Sequence, residues 1–381
     1  MVATTGKDTS LIYVWEDSFD QTPGNMIGST FGISDYKQTF GSGVTLGTNE
    51  GSNNAERQFR PGSRQAEYIL EAQFDGSWSV DFTLTNPWFL KSMFGDPTTT
   101  EGETIDSTVE TWKHEYSGQF PDSMQLIEQI EYQDASGNSI YDHRILTGCV
   151  VSSMDVETDT EGVVEVSLDG AYANERYIED VTNASDPPYS QFTQPATDHR
   201  PLHFGNAKVY FDQTPESGSD TQVVQRLMQD VSLSLEGNVD MIYELGSRTA
   251  ADFSPKAIEP ELSYTRIVSE DASSTSAQDL KDMYGDTTKT REERNEPADP
   301  TMGTSDLEIQ IDIDNARTVS DDADVNNMKF VMEGSLVDSY SRNNVGDPES
   351  ELEADVDRLI TRTYVVAENQ TEVPKSNDPS P

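Results

Sequence analysis

Basic residues are scarce in this chain. Against 70 Asp and Glu there are only 25 Lys and Arg, a formal net charge of −45 over 381 residues. No Lys/Arg stripe is available to replace phosphate counterions, which argues against direct DNA binding. Cysteine is nearly absent as well. The single Cys149 excludes intrachain disulfides and any cysteine-based zinc site. It stands in the apolar run Leu146-Thr147-Gly148-Cys149-Val150-Val151, where a small buried hydrophobe is expected. Long apolar runs are also missing. Nothing approaches the ~20 residues of a membrane-spanning helix, and Met1–Ser10 is too polar for a secretory signal. A chain made in the cytoplasm, with no membrane anchor, is expected.

Catalytic signatures are lacking too. The four histidines, His114, His143, His199 and His203, show no zinc-protease spacing, and Pro201 argues against a helix presenting the last two together. There is no nucleophile elbow, phosphate loop or dinucleotide fingerprint in a supporting context. Acids are so abundant that paired carboxylates carry no signal. One segment, Asp322-Ala323-Asp324-Val325-Asn326 with Glu333, has calcium-loop spacing at positions one, three, five and twelve. Asn327 replaces the usual glycine there and the flanks read as strand, so a solvated acidic hairpin is the competing interpretation. No catalytic residue, metal ligand or cofactor is assigned, and no enzymatic activity is expected.

What the chain does have is aromatic residues and alternation. Four Trp, fifteen Tyr and fourteen Phe lie along alternating segments, which separates it from a disordered acidic tail. The acids therefore coat a folded surface. In molar salt the Debye length falls to ~3 Å and most of their repulsion disappears, which points to a high-salt habitat. The alternative is an acidic protein that repels nucleic acid at ordinary salt. Period-two runs occur at Trp78–Leu84, Val164–Leu168, Val231–Leu235 and Leu307–Asp314, predicting a mainly antiparallel β architecture. Two short helices are predicted. Asn86 caps the first, Pro87 and Trp88 to Phe94 follow, and Gly95 ends it in a left-handed conformation; the second runs from Ser276 and Asp279 to Gly285.

Both helices close on nearly the same words, Leu90-Lys91-Ser92-Met93-Phe94-Gly95-Asp96 and Leu280-Lys281-Asp282-Met283-Tyr284-Gly285-Asp286, 190 positions apart (280 − 90). Gly62-Ser63-Arg64 and Gly246-Ser247-Arg248 lie 184 apart (246 − 62), and the apolar stretches ending in Gly148 and Gly334 lie 186 apart (334 − 148). Leu126–Ile130 likewise resembles Leu307–Ile311. Four matches in one order at a near-constant offset predict an internal duplication. The expected organisation is a first unit with an N-terminal arm over 1–184, a linker over 185–200, a second unit over 201–369 and a flexible tail over 370–381. The glycine-rich or polar stretches Gly41–Pro61, Asp212–Thr221 and Asp286–Thr304 exceed ordinary connections and are expected to be docking arms or outer loops.

Gly62-Ser63-Arg64 leading into Gly76–Phe82, the helix closed by Gly95, Trp112–Tyr116, the strand Met124–Tyr132 and Thr147–Met154 together resemble the major tail tube proteins of tailed viruses, of a salt-adapted, haloarchaeal-virus type. The resemblance covers about Val14 to Asn369. It implies tandem β-sandwich or split-barrel units, each with a short flanking α-helix, that assemble into stacked rings. The implied tube conducts genome DNA through its lumen without specific binding and meets other tail proteins at its ends, with assembly in the host cytoplasm. Two units per chain imply trimeric rings of pseudo-sixfold symmetry. A tail hub or terminator ring, and a virion decoration or cell-surface β-sandwich binding protein, are the alternatives.

Overall fold

A computed structural model describes residues 9–16, 18–20, 40–49, 55–59, 66–71, 73–85, 88–104, 110–133, 139–159, 162–181, 202, 208–212, 223–224, 228–267, 308–314, 326–342 and 349–366. The chain opens with β1 (Thr9–Trp15), β2 (Gly41–Asn49), the hairpin of β3 (Ala55–Phe59) and β4 (Ala66–Glu71), and β5 (Gly76–Leu84). In β5 the side chains of Trp78, Val80, Phe82 and Leu84 are buried and alternate with Ser77, Ser79, Asp81 and Thr83. Each buried apolar side chain of this kind contributes about 1.5–3 kcal/mol.

A 3₁₀ turn, Trp88–Leu90, then leads into α1 (Lys91–Phe94), so the predicted helix exists but only its last four residues are α-helical. Gly95 has φ 70° and ψ −163°, a positive φ as expected but with ψ far from the left-handed helical well. Its N–H donates to the Lys91 carbonyl at 2.9 Å, and a Cβ there would lie 2.3 Å from the Phe120 carbonyl oxygen. Asn86, Pro87 and the second predicted helix lie outside the described residues. The first half continues with β6 (Thr98–Thr104), β7 (Glu110–Tyr116), β8 (Met124–Gln133), β9 (Ser139–Asp159), β10 (Glu165–Tyr172) and β11 (Asn174–Val181).

The second half comprises β12 (Lys208–Asp212), β13 (Val223–Val224), β14 (Met228–Glu236), the hairpin of β15 (Val239–Tyr243) and β16 (Ala250–Pro255), β17 (Glu259–Ile267), β18 (Glu308–Asp314), β19 (Asn326–Arg342) and β20 (Glu349–Val366). The fold is mainly β, as expected. One expectation is sharpened: Gly41–Pro61 is not a bare polar connection, since it contains β2 and β3. Its glycines interrupt the strand pattern, and Gly41 is required by close approach, since a Cβ there would lie 2.1 Å from the Thr83 carbonyl oxygen. The linker 185–200, the tail 370–381, and nearly all of Asp212–Thr221 and Asp286–Thr304 lie outside the described residues.

All described ladders are antiparallel, and one sheet contains sixteen strands. The first half pairs in the order β1-β8-β9-β10-β5-β2 and the second in the order β12-β18-β19-β20-β17-β14. Two of the described ladders join the halves, β14 to β9 and β7 to β20. β9 can serve so many partners because it is long and bent. Its first part pairs with β8 and β11, and its last part with β10 and β14. The change occurs at Gly148, φ +61°, where a Cβ would meet Ala173 Cβ at 2.8 Å. Four residues on, a bulge at Ser152 shifts the register, Val151 facing Gly170 and Ser153 facing Asp169. β19 bulges in the same way at Asp338, Val337 facing Ala354 and Ser339 facing Glu353.

The main core is shared by both halves: Trp78, Phe82, Met154 and Val166 belong to the same buried cluster as Leu233, Leu262 and Tyr264. Cys149 is buried in it, as expected. Among the described residues no helix is long and apolar enough to cross a membrane.

Candidate assembly surface

Alternation fills one face of the central sheet with apolar side chains, and the register determines what fills the other. Across β2, β5, β10, β9, β14 and β17 one row reads Thr45, Asp81, Ser167, Asp155, Ser234, Glu261. The next row reads Thr83, Glu165, Glu157, Ser232, Ser263, and a third reads Gly47, Ser79, Asp169, Ser153, Glu236, Glu259. Every described side chain in these rows ends in a carboxylate or a hydroxyl. Ser167 donates to Asp81 Oδ1 at 2.7 Å, and burial, with Asp155 and Asp81 alongside, raises the Asp169 pKa. Such a face repels phosphate and offers it no cation.

The joint between the halves is more than a ladder. The Ser152 carbonyl accepts from Gly237 N at 2.8 Å and Asn238 N at 3.1 Å, so the bulge aims this oxygen at the turn after β14. Met93 of α1 closes beneath, its Cε 2.9 Å from where a Gly237 Cβ would stand. The β15–β16 hairpin folds back over the first half. Phe253 lies between Phe19 and Phe120 with ring centroids 5.4 and 5.5 Å away, and Tyr243 Oη donates to the Phe74 carbonyl at 2.8 Å. An open groove of about 360 Å³ remains between Phe94, Phe120, Val239 and Ile258.

Two clusters of charge sit beside this joint. Lys91 is only 15% exposed, pairs with Asp96 and Asp122 at 2.7 Å each, and lies 5.4 Å from the centroid of Trp15. Lys91 and Asp96 are the second and seventh residues of the repeated helix motif, and the fold brings them together. Arg144 donates to Glu175 Oε1 at 2.5 Å and Thr48 Oγ1 at 2.8 Å, tying β9 to β11 and β2.

Among the described residues, Glu16 is a strongly perturbed carboxylate that sequence reasoning missed. It follows the apolar strand β1 directly, which is the only signal available. Its Oε2 accepts from Ser123 Oγ at 2.6 Å and its Oε1 from Gly148 N at 3.0 Å, yet burial outweighs these bonds and pushes its pKa up to about 7. Burial lowers His114 and His143 to about 4, so both are neutral core residues at pH 7. His199 and His203 lie outside the described residues. So does Asp322–Val325 of the candidate cation loop, while Asn326 begins β19 and Glu333 stands in it opposite Arg358. Among the described residues no cluster of acids, His or Cys could hold a metal ion.

Several strand edges are left open. Among the described strands, β2 pairs only with β5, β11 only with β9, and β19 from Ser335 onward only with β20. Unpaired backbone donors and acceptors along an edge are a template for another strand.

Comparison with known proteins agrees with a surface built for association. No curated protein matches the chain significantly. A family model, that of the phage tail tube protein, matches residues 6–326, through both halves of the sheet as far as the start of β19. This protein belongs to the phage tail tube protein family.

Proposed function

We propose that this chain is the tail tube subunit of a salt-adapted tailed virus of the haloarchaeal type, carrying two tandem tube units over 1–184 and 201–369. Three chains close a ring of approximate sixfold symmetry, and rings stack into the conduit for genome DNA. The acid and hydroxyl face of the sheet lines the lumen, where DNA slides without specific contacts. Other tail proteins cap the tube ends, assembly takes place in the host cytoplasm, and the subunit performs no catalysis and needs no cofactor.

The observation that carries this interpretation is that one strand order occurs twice within one sheet. Ranked by chain position, β1-β8-β9-β10-β5-β2 and β12-β18-β19-β20-β17-β14 follow the same rule, with β10 and β11 fused into β20. The bulges support it further, Ser152 and Asp338 being 186 positions apart (338 − 152), the offset of Gly148 and Gly334. Two such units side by side in one sheet support a ring in which each chain fills two of six places.

Electron microscopy of the purified protein in molar NaCl, with chains per ring counted by mass, tests this. Hollow rods of three-chain rings are expected, dissociating on dilution to ~0.1 M salt, where the Debye length grows to ~10 Å. Rings of six complete chains would overturn the stoichiometry. A single unstacked ring would indicate a hub or terminator, and a salt-independent monomer a decoration or binding module.

A further inference from the structure

We infer that neighbouring chains join by copying the joint already present inside each chain: β2 of one copy adds to the open end of β19 of the next, antiparallel, with Thr48 opposite Arg342 and Asn49 opposite Ser341. This rests on the ring assembly proposed above. It specifies which edges meet and in what register.

The register comes from following ladders across each half. In the first, Met154 faces Leu168, Leu168 faces Val80, and Val80 faces Leu46. In the second, Tyr340 faces Leu352, Leu352 faces Tyr264, and Tyr264 faces Val231. Met154 therefore corresponds to Tyr340, and Leu46 to Val231. Two residues along, Val156 corresponds to Arg342, and Leu233 to Thr48. Thr48 faces Trp78 as Leu233 faces Leu262 in the same ladders, and the bulges at Ser152 and Asp338, two residues before Met154 and Tyr340, fix the alignment.

Inside the chain Leu233 faces Val156 and Ser234 faces Asp155. Substituting the corresponding residues places Thr48 opposite Arg342 and Asn49 opposite Ser341. Both edges needed for this are open among the described strands, and their counterparts, β14 and the end of β9, are the two strands already joined. The β3–β4 hairpin then stands where β15–β16 stands in the internal joint. The outer edge of β11 corresponds to the edge of β20 that β7 occupies, a second place for the neighbour.

Repetition of such a head-to-tail contact gives a ring when the rotation per chain closes, and it pairs the open edges of β2 and β19. The two joints differ in chemistry. Where the internal joint sets Leu233 against Val156, the intermolecular one sets Thr48 against Arg342, polar side chains that water can solvate when the chains part. The intermolecular joint is thus the separable one.

Disulfide trapping in the full-length chain tests the register. Opposed Cβ atoms in an antiparallel ladder lie ~4.5–5.5 Å apart, close enough for a bridge with slight adjustment, whereas a one-residue offset turns the side chains to opposite faces. Asn49→Cys with Ser341→Cys, oxidised in molar salt, should give covalent dimers and trimers and nothing larger on a non-reducing gel; Cys149 is buried and does not interfere. Asn49→Cys with Arg342→Cys should stay monomeric. Mixing the two single variants, Asn49→Cys and Ser341→Cys, should give dimers only, a second readout if the double variant folds poorly. Rods without the expected bridges, or equal bridging by matched and offset pairs, overturn this inference alone. Absence of both rings and rods in the parent protein overturns the ring assembly and this inference with it.

Discussion

An alanine at position 170 would drive a methyl group into the neighbouring strand. Its Cβ would lie 2.0 Å from the Val150 carbonyl oxygen and 2.7 Å from Trp78 Cε2 and Cζ2. Neither neighbour can give way easily. The carbonyl is ladder backbone, and Trp78 is 2% exposed with its Nε1–H donated to the Ala171 carbonyl at 3.0 Å. Overpacking against atoms this fixed costs about 3 kcal/mol, the upper end of the usual range, reduced by up to ~1 kcal/mol for the lower chain entropy of alanine. In the second half the corresponding ladder position pairs Leu262 with Ala354, a smaller residue opposite a larger one. Trp78→Leu alone should leave a cavity costing roughly 2–3 kcal/mol. Combining Trp78→Leu with Gly170→Ala recreates the second-half pair, so the double variant should be less destabilised than the sum by at least ~1 kcal/mol. Urea denaturation in molar NaCl, read by the midpoint of the first transition, measures all three. Gly170→Ala within ~0.5 kcal/mol of the parent, or strict additivity, would refute the packing argument and weaken the two-unit correspondence.

Other expectations concern buried charge. Glu16 has a folded pKa near 7 against 4.5 unfolded, so the native state holds more protons between these values and stability falls as pH rises through them, by on the order of 3 kcal/mol; thermal melts of Glu16→Gln should lose that slope. His143, lowered to about 4 from 6.5, acts oppositely: its contribution is present above pH 6.5 and lost as pH falls toward 4, so His143→Gln should flatten the acid limb of the same melts. Lys91→Met leaves Asp96 and Asp122 facing each other and should cost roughly 1–2 kcal/mol. Added NaCl should restore part of that loss, and a salt-independent deficit would point to lost packing against Trp15.

Sequence patterns told more about strands than about helices and connections. Trp78–Leu84 and Leu307–Asp314 read correctly because one face of each strand is dry and apolar side chains recur at every second residue. β2 did not, since Gly41, Gly43 and Gly47 interrupt its pattern and its partner on one side only leaves Val44 and Leu46 half-buried. Short helices gave the weakest boundaries: the words around α1 stood out by repetition, yet only Lys91–Phe94 is α-helical. Lys91 and Asp96 were both in the repeated motif, but their bond depends on Gly95 reversing the chain and on Asp122 arriving from the segment before β8.

The sequence alone determined the character of the faces. Alternation specified strands with one dry side, the acid excess specified a strongly negative chain, and a lone cysteine in an apolar run specified a core without disulfides. It also showed two halves sharing a vocabulary at near-constant offset. Tertiary structure decided which strand lies beside which: β14 crosses to β9, β7 crosses to β20, and β2 is left with an open edge among the described strands. The physical reason is that alternation encodes which side of a strand is wet but says nothing about its neighbour. That choice depends on long-range closure, on the bend at Gly148 and the bulge at Ser152, which bring the end of β9 within reach of β14.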